Sequence, residues 1–193
     1  CAYFTNAQNK ENSYDPEISR RSGWDMDIIS GYDSLFFSKN LLKKILIIFS
    51  IIKKSDLIII SGYSSFLYII IALFSKFSSV KTGLRADSVF LYRKENFKWK
   101  IKDIILPVIF KLYDFGFPTG SLAKELMLKY KFQNDNLFYF PYAIDHDFLE
   151  KNFNKHNKQR NKLRNNIKIN KDDFVVLGIM KFVDREDPMT LLK

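Results

Sequence analysis

An uncharged apolar stretch, residues 57–74 (LIIISGYSSFLYIIIALF), constrains the fold of this chain most strongly. Its length approaches the roughly 20 residues that a helix needs to cross a bilayer. Its middle, residues 61–65 (SGYSS), is however a cluster of turn-forming and helix-capping residue types. Such a cluster divides the stretch into a short apolar strand and a short apolar helix. We therefore expect a strand–turn–helix unit buried inside a globular domain, and no transmembrane helix.

The same alternation of apolar runs and turns continues along the chain. The pattern predicts helices over 38–54, 65–77, 97–112 (interrupted by Pro107) and 121–131, which alternate with short strands over 57–60, 80–84, 114–117 and 137–140. Strands that alternate with helices in this way form open parallel sheets with helices on both faces. The sequence therefore predicts an α/β fold. Residues 6–21 are expected to form a loop, and residues 24–29 a short strand or an ordered loop.

A basic segment separates this alternating region from a further apolar run. Residues 151–171 contain 8 lysines and arginines and no acidic residue, which favours a helix and a turn between domains. A strand pattern restarts at 174–177 and ends at Gly178. The predicted organisation is a first domain over 1–142, a basic linker over 143–172 and the start of a second α/β domain over 173–193. Both ends look cut, so we expect a fragment of a longer protein.

Charge and cysteine content narrow the functional classes. The net charge of +10 favours anionic partners, such as nucleotides, nucleic acid or an anionic lipid surface. The single cysteine excludes an internal disulfide and fits a reducing, cytoplasmic compartment. The chain has no G-x-x-x-x-G-K-[ST], G-x-G-x-x-G, G-x-S-x-G or H-E-x-x-H pattern. His146 and His156 lack metal-ligand spacing, so we expect them to be surface residues.

Candidate binding residues follow the predicted strands. Ligands of open α/β sheets bind at the carboxyl ends of the strands, where loops and helix N-termini converge. Gly62 permits an unusual backbone turn after the first strand, beside serines that cap a helix or bind a sugar hydroxyl. Arg85 and Asp87 follow the next strand and can pair with each other or bind a polar ligand. Both turns also have a purely structural interpretation, helix capping for the serines and a salt bridge for the charged pair, which stays open.

Five passages of the chain, taken in order, carry a further pattern. The first is similar to a W-D…L-x-x-G-Y…F loop and consists of Trp24-Asp25, Gly31-Tyr32 and Phe36-Phe37. The next three are similar to D-v-v-x-x-H-G-Y-s-s, l-R-x-D-s and f-v-P-y-a-v-D, and lie at 56–65, 85–88 and 138–145, and the last is 174–192. Together these passages resemble those of the retaining glycosyltransferases of family 4, which have two facing Rossmann-like domains in the GT-B arrangement. In this resemblance 174–192 corresponds to the first strand and helix of the donor domain.

This resemblance implies transfer of a sugar from a nucleotide-diphosphate donor to a glycan or lipid-linked acceptor, with retention of configuration, in polysaccharide or lipopolysaccharide synthesis. The donor is a substrate, and neither a cofactor nor a metal is expected. The basic, aromatic-rich helices fit docking on the anionic inner face of a membrane, so we expect a cytoplasmic, peripheral protein, and nucleic acid is not an expected partner. Implied acceptor-binding residues are Trp24, Asp25, Tyr32, Gly62, Tyr63, Arg85 and Asp87; Lys181 and Arg185 would bind the donor diphosphate.

Two departures from the family pattern affect the expected activity. Glu186 stands where a second basic residue is usual in the family, and Ser61 stands where relatives often have histidine. By the resemblance, the acidic motif for the donor ribose would follow residue 193, and the glycine-rich first strand of the first domain is missing. We therefore expect the chain as given to be inactive, even if its parent is an enzyme. Two alternatives stay open: a non-catalytic remnant of such an enzyme, and a basic protein that binds nucleic acid through residues 151–171.

Overall fold

The computed structural model describes residues 1–4, 13–15, 20–22, 30–38, 40–89, 97–183 and 186–192. The strands are β1 (Ala2–Phe4), β2 (Ser13–Asp15), β3 (Arg20–Ser22), β4 (Ser34–Phe36), β5 (Leu57–Ser61), β6 (Lys81–Ala86) and β7 (Phe115–Pro118). The helices are α1 (Leu41–Lys54), α2 (Phe66–Ser75), α3 (Phe97–Phe110), α4 (Ser121–Lys129), α5 (His146–Asn157) and α6 (Arg160–Asn166). The chain divides into two compact units, Ser38–Ala143 and a second that comprises Cys1–Phe37 and Ile144–Lys193.

Strands β5, β6 and β7 form a three-stranded parallel sheet in that order within the unit Ser38–Ala143. The register pairs Ser61 of β5 with Arg85 of β6, and Arg85 in turn with Phe117 of β7. Helix α2 connects β5 to β6, and α3 lies between β6 and β7 in the chain. The fold is therefore α/β, with an open parallel sheet flanked by helices, as the sequence predicts, and it is consistent with a Rossmann-like fold.

The stretch 57–74 forms a strand, a turn and a helix. The break occurs at Gly62, whose φ of +87° lies in the region that glycine adopts without a steric penalty. Ser65 precedes α2, but its side chain makes no capping hydrogen bond, so the capping role considered for the serines is not observed at this residue. Within the part of the chain that the structure describes, no helix is both long enough and apolar enough to cross a bilayer.

The core of this unit surrounds the middle strand. Strand β6 is buried along most of its length, with Leu84 0% exposed and Thr82 1% exposed. A strand between two parallel neighbours and under helices is expected to be buried on both faces. Two glycines keep the packing close: a Cβ at Gly83 would collide with the ring of Phe117, and one at Gly116 with Leu137.

Several predicted elements of the unit Ser38–Ala143 differ from the structure, most in their ends and one in kind. Residues 137–140 do not form a strand: they lie beside β7 through a single bridge, Leu137 to Gly116, with two hydrogen bonds from Phe138 and Phe140 to β7 carbonyls. Helix α3 is not interrupted at Pro107 but continues to Phe110. Helix α4 ends at Lys129, slightly before the predicted end at residue 131.

Outside this unit, two further predictions are wrong. Part of the polar segment 6–21, expected to be a loop, forms the antiparallel pair β2–β3, and β1 pairs with β4 in parallel. Residues 174–177 are not a strand, and Phe174 is 93% exposed. An apolar run becomes a strand only if a neighbour accepts its backbone hydrogen bonds, and no described strand pairs with this run. The predicted element at 24–29 lies outside the described residues.

A carboxylate, Asp114, links the amino ends of β6 and β7. Its Oδ2 accepts hydrogen bonds from the backbone N–H of Thr82 (2.8 Å) and from the hydroxyl of Thr82 (3.3 Å). Its Oδ1 lies 3.0 Å from the Nζ of Lys76 and 3.9 Å from that of Lys81. Burial alone would raise the pKa of Asp114, but the Thr82 N–H and the two ammonium groups outweigh it and hold the pKa below its ordinary value.

We expect Asp114→Asn to lower the free energy of unfolding at neutral pH by about 1 kcal/mol, because the amide cannot pair with Lys76. A lowered pKa stabilises the folded state above the pKa of the unfolded carboxyl, and this contribution is lost as the pH falls through the folded-state pKa. The difference in free energy of unfolding between the two proteins should therefore shrink as the pH falls below 3.8, the ordinary pKa of the carboxyl. Urea unfolding at several pH values measures it. Asp135→Asn, at an exposed carboxylate of the same unit, is the control, and a pH-independent difference would contradict the assignment.

Candidate functional site

The turns after β5 and β6 lie side by side at one edge of the sheet. The backbone N–H of Gly62 donates a hydrogen bond to the carbonyl oxygen of Arg85 at 2.8 Å, which continues the ladder of the two strands by one residue. The predicted binding residues Gly62, Tyr63, Arg85 and Asp87 therefore share the carboxyl edge of the sheet. We call this group the carboxyl rim. Parallel neighbouring strands place their following turns together, which is the basis of the prediction.

Tyr63 is held in place at both ends of its side chain. Its hydroxyl donates a hydrogen bond to the Oγ of Ser88 at 3.1 Å, which joins the two turns. Its ring meets the ring of Phe110 edge-on, with centroids 5.3 Å apart. Phe110 is 2% exposed and also contacts the rings of Tyr130 and Phe132. A buried aromatic cluster thus supports the rim from below and fixes the position of the Tyr63 hydroxyl.

The guanidinium of Arg85 lies against two aromatic rings. Its Cζ is 4.6 Å from the ring centroid of Tyr142 and 5.4 Å from that of Phe140, distances at which a cation is attracted to a ring face. The Nε of Arg85 is buried and has no hydrogen-bond partner. A buried donor without a partner costs about 1–3 kcal/mol, so an acceptor at this position would be favourable.

Asp87 does not pair with Arg85, although the sequence allows that pair. The Oδ2 of Asp87 instead accepts a hydrogen bond of 2.6 Å from the hydroxyl of Tyr142. The ring of Tyr142 thus meets the arginine while its hydroxyl meets the carboxylate. One tyrosine therefore connects both charged residues of the R-x-D passage, and the simple salt bridge is not formed among the described residues.

The hydrogen bond to Asp87 changes the acidity of Tyr142. It raises the pKa of the Tyr142 hydroxyl because it stabilises the protonated phenol, and the negative charge of Asp87 acts in the same direction. The positive charge of Arg85 acts in the opposite direction and lowers this pKa. The two charged residues therefore have opposite effects on a single titrating group.

These opposite effects give a sign-specific test of the cluster. We expect Asp87→Asn to lower the pKa of Tyr142 toward its ordinary value of 10.0, and Arg85→Ala to raise it further. The chemical shift of the Tyr142 ring carbon that bears the oxygen, followed by NMR against pH, measures both changes. Tyr139 of the same segment serves as an internal control. Shifts of the same sign in both variants would show that Tyr142 does not lie between these charges.

Sequence reasoning missed three residues that contact the carboxyl rim and that we include in it from here on: Ser88, Phe140 and Tyr142. Ser88 ends the RADS passage, and the two aromatic residues belong to the FYFPYAID passage, so both passages were singled out without these roles. The signal that could have found them is the placement of both passages after neighbouring strands of one parallel sheet. Contacts between residues 55 positions apart, such as that of Asp87 with Tyr142, depend on how the chain returns to the sheet.

Of the remaining predicted acceptor residues, one lies in the other compact unit and two lie outside the described residues. Tyr32 precedes β4 in the unit that comprises Cys1–Phe37 and Ile144–Lys193, and it is 47% exposed. Trp24 and Asp25 lie outside the described residues. A cavity of about 540 Å³ lies at the opposite, amino edge of the sheet, near Asp56 and Val80, and no predicted binding residue lines it.

The predicted donor-binding residues are only partly described. The backbone N–H of Lys181 donates a hydrogen bond of 2.8 Å to the carboxylate of Glu186, and Arg185 lies outside the described residues. A carboxylate beside Lys181 reduces the local positive potential that a diphosphate would meet. The described residues contain no group of three or more His, Cys, Asp or Glu that could hold a metal ion. His146 and His156 are exposed on α5, as predicted.

Comparison with protein-family models, with curated proteins and with solved structures gives no match to this chain.

Proposed function

We propose that this chain carries the acceptor-binding side of a retaining glycosyltransferase. In this proposal the intact enzyme moves a sugar from a nucleotide-diphosphate donor to a hydroxyl of a glycan or lipid-linked acceptor, as in polysaccharide synthesis. The observation that carries the proposal is the carboxyl rim, where Arg85 at the end of β6 meets Tyr63, Asp87 and Tyr142 from separate loops. The rim lies at the carboxyl edge of an open parallel sheet, the edge at which ligands of such sheets bind.

The chemistry of the rim suits a sugar. Sugars present hydroxyls that pair with charged and polar side chains, and apolar ring faces that stack on aromatic rings. Asp87 offers acceptor oxygens and Arg85 offers planar donors, while Tyr142 is 60% exposed and offers ring surface. The Arg85 Nε, buried and without a partner, is satisfied if a bound acceptor brings an oxygen close to it.

On the donor side, the proposal assigns two basic residues. Lys181 and Arg185 would face the leaving diphosphate, where positive charge stabilises the charge that develops in the transition state. The hydrogen bond from Lys181 to Glu186 suits a diphosphate poorly. The peripheral location at an anionic inner membrane face belongs to the same proposal and is supported by the net charge of +10.

The test is binding of sugars by the chain itself. A panel of soluble oligosaccharides is screened by saturation-transfer NMR, and binding is mapped on the protein by shifts of the Tyr142 and Tyr63 ring signals. The proposal expects saturable binding of at least one glycan that perturbs these rings. Single-stranded DNA is titrated in parallel at low and high salt. DNA binding that weakens steeply with salt, together with no bound glycan, would replace the proposal by a nucleic-acid function.

A further inference from the structure

Helix α3 carries apolar side chains on two opposite faces. Leu106 and Phe110 are 4% and 2% exposed and face the core. A second apolar set is exposed and consists of Phe97, Ile101, Ile104, Ile105 and Val108. At the 3.6-residue period of a helix, these five side chains fall in one stripe roughly 100° wide, opposite the buried pair. We call them the outer stripe of α3.

Positive charge borders the outer stripe on both sides. By helical position, Lys100 and Lys111 flank one border and Lys102 the other, and all three residues are exposed. The sole acidic residue of α3 is Asp103, whose carboxylate accepts a 2.7 Å hydrogen bond from the hydroxyl of Tyr130. Tyr130 is 3% exposed, so Asp103 is turned toward the core. The exposed face of α3 is therefore apolar along its middle and cationic along its borders.

We propose that the outer stripe of α3 docks on the surface of a bilayer that contains anionic lipids. A helix with an apolar face bordered by lysines lies in the plane of the interface, its apolar side chains among the acyl chains and its lysines at the headgroups. Isolated soluble proteins rarely expose a continuous apolar patch of this kind. This inference rests on the proposed function, since it names the surface that brings the acceptor-binding side to a lipid-linked acceptor.

Charge decides between a membrane and a second copy of this chain as the occupant. Two outer stripes packed face to face would bring Lys100 and Lys111 of both copies together, on chains that each carry a net charge of +10. Like charges at an interface oppose association. An anionic lipid surface instead neutralises each lysine, and the apolar stripe then enters the hydrocarbon.

Co-sedimentation with vesicles tests the proposal. The full chain should pellet with vesicles of phosphatidylglycerol and phosphatidylcholine, and much less with phosphatidylcholine alone. Ile104→Asp/Val108→Asp should weaken binding at least about tenfold, because each exposed branched side chain loses its transfer into the acyl region. Leu122→Asp/Leu128→Asp, two exposed leucines of α4, is the matched control and should bind as the unchanged chain does.

Two double charge-reversal variants separate the effect of lysines next to the outer stripe from the effect of net charge on vesicle binding. Lys100→Glu/Lys111→Glu should weaken binding by more than the roughly fivefold per lysine that neutralisation alone would cause. Lys151→Glu/Lys155→Glu changes the net charge equally on α5, and both lysines are exposed there. Equal losses in the two pairs would overturn the proposal, because binding would then depend on overall charge rather than on α3.

A direct readout covers the case in which a charged variant unfolds. Cys1 is the sole cysteine, so Val108→Cys in a Cys1→Ser background accepts one environment-sensitive dye, and Leu128→Cys provides the control position. Addition of anionic vesicles should shift the emission of the dye at 108 to the blue and leave that at 128 unchanged. Equal emission shifts at both positions would overturn the proposal. So would dimerisation of the chain, if Ile104→Asp/Val108→Asp abolishes it.

Failure of membrane docking by α3 can be distinguished from failure of glycan binding by the carboxyl rim. Arg85→Ala should leave vesicle binding unchanged, because Arg85 belongs to the carboxyl rim and not to α3. The α3 variants should leave binding of soluble glycans unchanged. Loss of vesicle binding in Arg85→Ala would contradict the assignment of the docking surface to α3.

Discussion

Gly116→Val is expected to lower the free energy of unfolding of the unit Ser38–Ala143 by about 3 kcal/mol, among the larger costs of overpacking a core. Gly116 is buried in β7, and even a single Cβ there would collide with Leu137 and come within 2.9 Å of the Sδ of Met127. Met127 is 0% exposed and cannot move outward without opening the core. For a unit of this size the melting temperature should fall by roughly 15 °C.

Gly120→Ser is the control for Gly116→Val. Gly120 precedes α4, has extended backbone and has no atom within 4 Å of a built Cβ. Serine is also a preferred residue at the start of a helix, so no loss of stability is expected. Thermal and urea unfolding followed by circular dichroism measure both variants. Equal stability of Gly116→Val and the unchanged chain would show that Leu137 does not pack on β7 as described.

Arg85→Ala is expected to weaken glycan binding by roughly tenfold to hundredfold. Hydrogen bonds to a charged group contribute about 1.5–3 kcal/mol, and each 1.36 kcal/mol corresponds to a factor of ten. Arg85→Lys keeps the charge but not the planar group that lies on Tyr142, so an intermediate loss is expected. Titration of the glycan found in the screen, followed by the Tyr63 ring signals, measures the dissociation constants.

Lys124→Ala provides the matched control for Arg85→Ala. Lys124 is also a cation over an aromatic ring, with its Nζ 5.6 Å from the ring centroid of Tyr139, but it belongs to α4 and not to the carboxyl rim. The control should bind the glycan as the unchanged chain does. A comparable loss in both variants would indicate a general effect of positive charge, and the rim would then not be the binding site.

The order of the elements in the sheet unit could be predicted because β5 is a short apolar run between turns and the segments around β6 and β7 alternate with helical patterns. The same rule fails at 137–140 and 174–177, where the residues are equally apolar. Leu137 lies beside β7 with only a single bridge, and Phe174 has no described strand next to it. The composition of an apolar segment shows that it can form a strand. Whether it pairs as a strand depends on whether a neighbouring strand has free backbone N–H and C=O groups.

The shared edge of the candidate site could be predicted, but its contacts could not. Parallel topology brings the turn at Gly62 next to the carboxyl end of β6 at Arg85, whatever their side chains are. The partner of Asp87 was not predictable, because the nearby Arg85 and the distant Tyr142 are both chemically suitable. The chain returns Tyr142 to the sheet edge after β7, and its hydroxyl donates the hydrogen bond that Asp87 accepts.

Tyr142 lies next to the last residue of the unit Ser38–Ala143, and its contacts with Arg85 and Asp87 attach that end of the unit to the middle of the sheet. The rim therefore exists only in the folded state, because its residues come from distant positions in the sequence. Any molecule that occupies it binds the folded chain alone and raises the temperature at which the unit unfolds. A screen of the melting temperature against a chemical library would thus identify ligands of the rim without an assay of enzymatic activity.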